Sequence, residues 1–191
     1  MHWLPAFRPM VQTRTERAVT MVPRTGLAIR LKRHADGSAS LTLTRDDGTV
    51  TWQRQLGSLA LVFPSHDLTH YAVEQTLGYH HAFYGLVADG WDIPDFASPW
   101  PRGAIPEEAR EVEMIVGLFD GMRRDREIWS AATLNTQLAQ LVADSKFAHS
   151  LVPRHLSDDA VVRARDARDA LLERWASTAP GSALELSFSR G

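Results

Sequence analysis

A chain of 191 residues with 44% hydrophobic and 23% charged side chains has enough apolar material for a sizeable core, which argues against extended disorder. Its formal charge of −2 gives no basic stripe of the kind nucleic acid recruits, and the absence of cysteine removes disulfides, thiolate metal sites and thiol nucleophiles together. No apolar run is long enough to cross a bilayer and residues 1–17 lack the continuous apolar core of a secretory signal, so the expectation is a cytoplasmic protein without a nucleic-acid or membrane partner.

Residues 1–17 hold Pro5 and Pro9 without clean periodicity and read as an irregular arm, with Trp3, Leu4 and Phe7 available to dock on the body. From residue 18 to 54 the period is two. Leu27, Ile29 and Leu31 alternate with Arg30 and Lys32, Leu41 and Leu43 with Thr42 and Thr44, and Val50 and Trp52 with Thr51 and Gln53. Asp36-Gly37 and Asp47-Gly48 punctuate these runs, which predicts an antiparallel meander with one apolar face.

After Gly57 the apolar segments lengthen. Pro64-Ser65 reads as a helix entrance, with Ser65 as N-cap and Asp67 in the first turn, and the helical pattern runs on to Asp89. Residues 90–106 form a proline-rich loop carrying Trp91, Phe96 and Trp100. Pro106 opens a helix to about Arg124, a further helical pattern covers residues 126–147, and Ser157-Asp158-Asp159 caps a last helix to about Trp175. Residues 183–189 alternate again, and an isolated strand needs partners. The predicted fold is therefore a single α+β domain over residues 1–191, in which the C-terminal strand joins the meander and helices within residues 65–175 pack on the sheet.

The stretch from Ser65 to Asp89 holds four of the eight histidines, and no lysine or arginine occurs between Gln55 and Pro101. Wound as one helix, it places His66, His70, Glu74, His81 and Tyr84 on one strip, bordered by Asp67 and otherwise surrounded by apolar residues. Histidines and a carboxylate without a basic partner can be satisfied by a bound cation. His66 and His70 stand at i and i+4, the spacing that lets two imidazoles share one metal, and Glu74 continues the row. One helix cannot close the site alone. On the helix after Pro106, Glu108 and Glu111 fall inside the apolar arc and Arg110 and Glu113 outside it, so Glu108 or Glu111 is expected to approach the histidines, with Glu111 as the candidate ligand.

His66-Asp67-Leu68-Thr69-His70 reads HDxxH. It resembles the HExxH of zinc hydrolases with Asp67 in place of the glutamate general base, one methylene shorter. In letters it is also similar to the HDxxH motif of a ubiquinone-biosynthesis protein family associated with zinc. Where that family places a following glutamate this chain has Ala82, and Glu74 stands nearer. The resemblance covers five residues and implies zinc at His66 and His70.

Two functions fit these residues. The first is a metal-dependent hydrolase or lyase acting on a small molecule, with Zn²⁺ or another divalent ion on His66, His70, Glu74 and Glu111, and Asp67 or Glu74 moving the proton. The second is a noncatalytic domain that binds a small molecule or a protein and whose histidines are structural. Ligand histidines would release the ion as the pH falls toward the ordinary imidazole pKa, about 6.5.

Overall fold

The structure, a computed structural model, describes residues 26–189. The arm of residues 1–17, its apolar side chains and the segment 18–25 of the first alternating run lie outside the described residues.

Three strands, β1 (Gly26–Arg33), β2 (Ala39–Arg45) and β3 (Val50–Gln55), form the antiparallel meander, and β4 (Ala183–Ser189) adds to its β1 edge. The order is β3-β2-β1-β4. Along β1, Ile29 stands between Leu43 of β2 and Leu186 of β4, and Leu31 between Leu41 and Leu184. The C-terminal strand is thus tied to the meander as its alternation predicts. Leu27, Ile29, Leu31, Leu41 and Leu43 are all buried, and removing each such side chain from water contributes about 1.5–3 kcal/mol.

Among the described residues five α-helices complete the α+β fold: α1 (Leu59–Leu77), α2 (Phe83–Ala88), α3 (Glu107–Asp125), α4 (Ala131–Ala143) and α5 (Asp158–Ala176). The apolar face of the sheet packs on Leu68 and Ala72 of α1, Tyr84 and Val87 of α2, and Leu171 and Trp175 of α5. A second core joins Val112, Ile115 and Phe119 of α3 to Leu134 and Leu138 of α4 and Val161 and Ala164 of α5. Helix α1 supplies Val73 to this second core, so it runs between the two layers. Within the 90–106 loop a short 3₁₀ helix (Ile93–Phe96) forms, and Trp91, Phe96 and Trp100 pack against the helical core.

The central helix differs from its expected form at both ends. It begins at Leu59, not at Ser65, and runs through Pro64. Leu59, Ala60 and Leu61 close a first turn on the carbonyls of Leu56, Gly57 and Ser58, so Pro64 removes only one hydrogen bond near the helix start. At the other end the helix stops at Gly78, which takes the left-handed conformation at φ 68°. The N–H groups of Gly78 and Tyr79 both turn back to the carbonyl of Glu74. Residues 78–82 make a corner and α2 starts afresh. The expected strip therefore ends at Glu74: His81 is exposed, and Tyr84 is buried with its hydroxyl donating to the carbonyl of Asp67 at 2.9 Å.

The corner depends on a second glycine. A β-carbon on Gly85 would lie 1.9 Å from the His80 carbonyl oxygen, backbone that cannot swing aside. Gly85→Ala is expected to destabilise the fold by about 1–3 kcal/mol, the usual cost of forcing extra volume into a packed site, read as a lowered midpoint in urea denaturation.

Candidate metal centre

Three of the side chains facing one another across the α1–α3 seam form a group whose nitrogen and oxygen atoms lie within 4.8 Å of one another: His66, His70 and Glu113. Glu113 spans both imidazoles. Its Oε2 is 3.1 Å from His70 Nε2, and its Oε1 is 3.8 Å from His66 Nε2. Two ligand atoms each about 2.1 Å from one tetrahedral ion would stand about 3.4 Å apart, so a cation would draw the group, which spreads over up to 4.8 Å, inward.

The other ring nitrogens are held by further carboxylates. His66 Nδ1 lies 2.9 Å from Asp120 Oδ2, while Thr69 Oγ1 donates to Asp120 Oδ1 at 3.0 Å. His70 Nδ1 lies 3.3 Å from Glu74 Oε1. Glu74 Oε2 accepts from the backbone N–H of Tyr84 at 2.9 Å and of Gly85 at 3.4 Å. An ionised carboxylate only accepts, so a ring nitrogen bonded to one carries the proton: in the metal-free protein His70 donates from Nδ1 to Glu74 and from Nε2 to Glu113, and His66 donates from Nδ1 to Asp120. Each Nε2 is turned toward Glu113, and a metal would take it after displacing the His70 Nε2 proton while the carboxylates keep hold of each Nδ1, the arrangement by which carboxylates fix ligand histidines elsewhere. Phe63 against His66 and Phe83 against His70 flank the pair, with ring centroids 6.3 and 5.9 Å apart. Among the described residues no lysine or arginine forms an ion pair with Glu74, Glu113 or Asp120. The donor set, two imidazoles and a carboxylate in a carboxylate-rich seam, suits a divalent cation and can hold one.

Burial and pairing oppose each other at every group. Burial works against charge on His70, but the hydrogen bonds to Glu113 and Glu74 outweigh it and hold the imidazole up to about 10. Burial likewise penalises the Glu113 carboxylate, and its bond to His70 nevertheless brings it down to about 2. Asp120 is also lowered: burial raises it, and the hydrogen bonds from His66 and Thr69 prevail. At Glu74 the balance reverses, and burial raises the carboxyl despite His70 and the two amides.

Of the residues expected from sequence, the structure brings His66 and His70 together and places Glu74 behind His70 as its orienting partner. Glu111 is buried but turned elsewhere, accepting from the backbone N–H of Arg154, whose guanidinium donates to the Leu77 carbonyl at 2.8 Å. Glu111 thus ties the α4–α5 connection to α3, and Arg154 ties it to the end of α1. Glu108 caps the corner by accepting from the amides of His80 and His81. Asp67 Oδ2 accepts from Gln55 of β3 at 3.2 Å, and burial raises its carboxyl to about 6, against the influence of His66 and Gln55.

Glu113 and Asp120 are the residues that sequence reasoning missed. They stand seven apart, two turns along α3, at the border of its apolar arc, and that repeat was the available signal. Comparison of the chain with protein-family models, curated proteins and solved structures finds no match.

Metal titrations separate the two candidate carboxylates of α3: Glu113→Gln is expected to weaken Co²⁺ binding by at least about tenfold and Glu111→Gln to leave it unchanged. The pH dependence follows from His70. In the metal-free protein this imidazole stays protonated up to about pH 10, so an entering ion must displace its proton and apparent affinity should rise about tenfold per pH unit between about pH 6 and 9. Competition thus reaches well above the ordinary imidazole range. For the metal-free fold the sign is opposite. The raised His70 contributes stability that is complete below about pH 6.5 and lost as pH rises through about 10; the lowered Glu113 contributes above about pH 4.5 and is lost as pH falls through about 2. Calorimetric metal titrations in buffers of different ionisation enthalpy read the released proton directly.

Proposed function

We propose that the protein is a metal-dependent enzyme, a hydrolase or lyase acting on a small molecule, with His66, His70 and Glu113 as the ligands of a divalent ion. The observation that carries this reading is the pairing of both Nδ1 atoms with carboxylates while both Nε2 atoms meet Glu113. A divalent ion held there would supply Lewis acidity to a carbonyl or phosphoryl oxygen. Asp120 and Glu74 fix the two imidazoles, and the aromatic rings of Phe63 and Phe83 border them. The side chain of Glu113 is 38% exposed and that of His66 21%, against 8% for His70, so a substrate would enter from the Glu113 side. Three protein ligands leave positions for it.

One observation favours the noncatalytic reading. The same network satisfies itself without an ion, because His70 bonds Glu113 and His66 bonds Asp120, cross-linking α1 to α3.

Melting curves of metal-loaded and metal-stripped protein distinguish the two. At metal concentrations about a hundredfold above Kd, binding contributes about 2.7 kcal/mol, which for a chain of this size is a rise in Tm of about 5–10 °C at pH 8. The difference should shrink as the pH falls and be lost in Glu113→Gln. Equal melting of loaded and stripped wild type would leave the noncatalytic domain as the function. With metal bound, turnover of ester, amide or phosphate substrates that is abolished by chelation and restored by the ion would establish the enzyme.

A further inference from the structure

Beside the metal centre, α3 and the end of α4 border an open cavity of about 490 Å³, a size typical of small-molecule sites. Arg110, Glu113 and Met114 line it from α3, Leu141 from α4, and Asp144 to Phe147 from the segment that follows. The guanidinium of Arg110 lies over the Phe147 ring, 4.1 Å from its centroid, and the ammonium of Lys146 lies 5.2 Å from the same centroid. Stacking engages the face of a guanidinium and leaves its in-plane N–H donors to another partner.

Those donors have none. Among the described residues neither Arg110 nor Lys146 makes a side-chain hydrogen bond or ion pair. Two carboxylates line the same cavity, and neither forms an ion pair with these cations: Glu113, one turn along from Arg110, bonds His70, and Asp144 accepts at both oxygens from the neutral Gln140 amide at 3.0 Å. Two cations without an ion-pair partner on one aromatic ring, with Met114 and Leu141 in the same lining, match an oxyanion on a short hydrocarbon body.

We infer that this cavity binds a small organic acid, its carboxylate or phosphate on Arg110 and Lys146 and its other end directed to Glu113. That the acid is the substrate rests on the metal-enzyme reading; that the cavity takes it does not. Glu113 faces both the cavity and the two histidines, so a molecule anchored at Arg110 presents its far end to the metal centre.

Chemical shifts of ¹⁵N-labelled, metal-stripped protein test the anchor. Glutarate and inorganic phosphate are titrated separately, with neutral glutaramide as control. Saturable shifts are expected at the amides of Arg110, Leu141, Ser145 and Phe147 with at least one anion and not with glutaramide. A response to glutarate alone assigns a carboxylate head, and to phosphate alone a phosphate head. The Arg110→Gln, Lys146→Gln double variant should weaken that binding at least about tenfold while keeping a native, dispersed spectrum. Shifts that fail to saturate, that glutaramide reproduces, or that survive in the double variant would overturn the inference.

A final arm adds Zn²⁺. Glutarate should then bind more tightly to wild type and not to Glu113→Gln. Unchanged glutarate affinity with zinc bound would break the link to the metal centre. Zinc that does not bind at all would sink the metal reading and leave the anion result standing.

Discussion

A carboxylate with almost no exposed surface holds this architecture together. Glu74 is 1% exposed, and its two oxygens join three things that the chain brings separately: the ring of His70 on the same helix, and the amides of Tyr84 and Gly85 at the start of the next. Such a group persists only if its lone pairs are met, and stripping the partner from a buried charge typically costs about 3–5 kcal/mol. The corner at Gly78 makes the geometry available, because it turns the N-terminal amides of α2 back toward the preceding helix. Gly85 lets that turn close on the His80 carbonyl. One buried acid therefore fixes both the path of the backbone and the direction in which His70 presents Nε2.

The centre lies at the rim of the interface between α1 and α3, and its burial is graded accordingly. His70 and Glu74 lie inside, while His66, Asp120 and Glu113 reach the surface. A site of this kind has a rigid inner half and an accessible outer half. Orientation comes from Glu74 inside and Asp120 nearer the surface, and access comes from the border of α3, where the cavity beside Arg110 begins. The same gradation explains why Glu111, more deeply buried on α3 than Glu113, has a structural partner in the Arg154 amide. The described residues contain no helix long and apolar enough to cross a membrane.

Much of the fold was legible in the residues. Period-two alternation located the four strands of the described residues, and Leu184, Leu186 and Phe188 at the C-terminal end needed the pairing with Leu31, Ile29 and Leu27 that they have. Pro106 and Ser157 marked two helix starts well, since the Ser157 hydroxyl accepts from the Ala160 amide and Pro106 directly precedes α3. The length of the central helix was not legible. Apolar spacing of three and four continues through residues 78–82, and nothing in that spacing separates one helix from two meeting at a left-handed glycine.

For the site, local sequence determined the His66–His70 pair, because i and i+4 positions share a helix face whatever the tertiary context. It also determined that no basic side chain from the same stretch would neutralise them. Which carboxylates meet them was decided only by tertiary structure. The rotation and axial offset of α3 against α1 select among Glu108, Glu111, Glu113 and Asp120, and both are set by the packing of Val112, Ile115 and Phe119 in a core to which all five helices contribute. An apolar arc says which side of α3 is buried. Where its rim meets a histidine depends on contacts that no segment of the chain contains by itself.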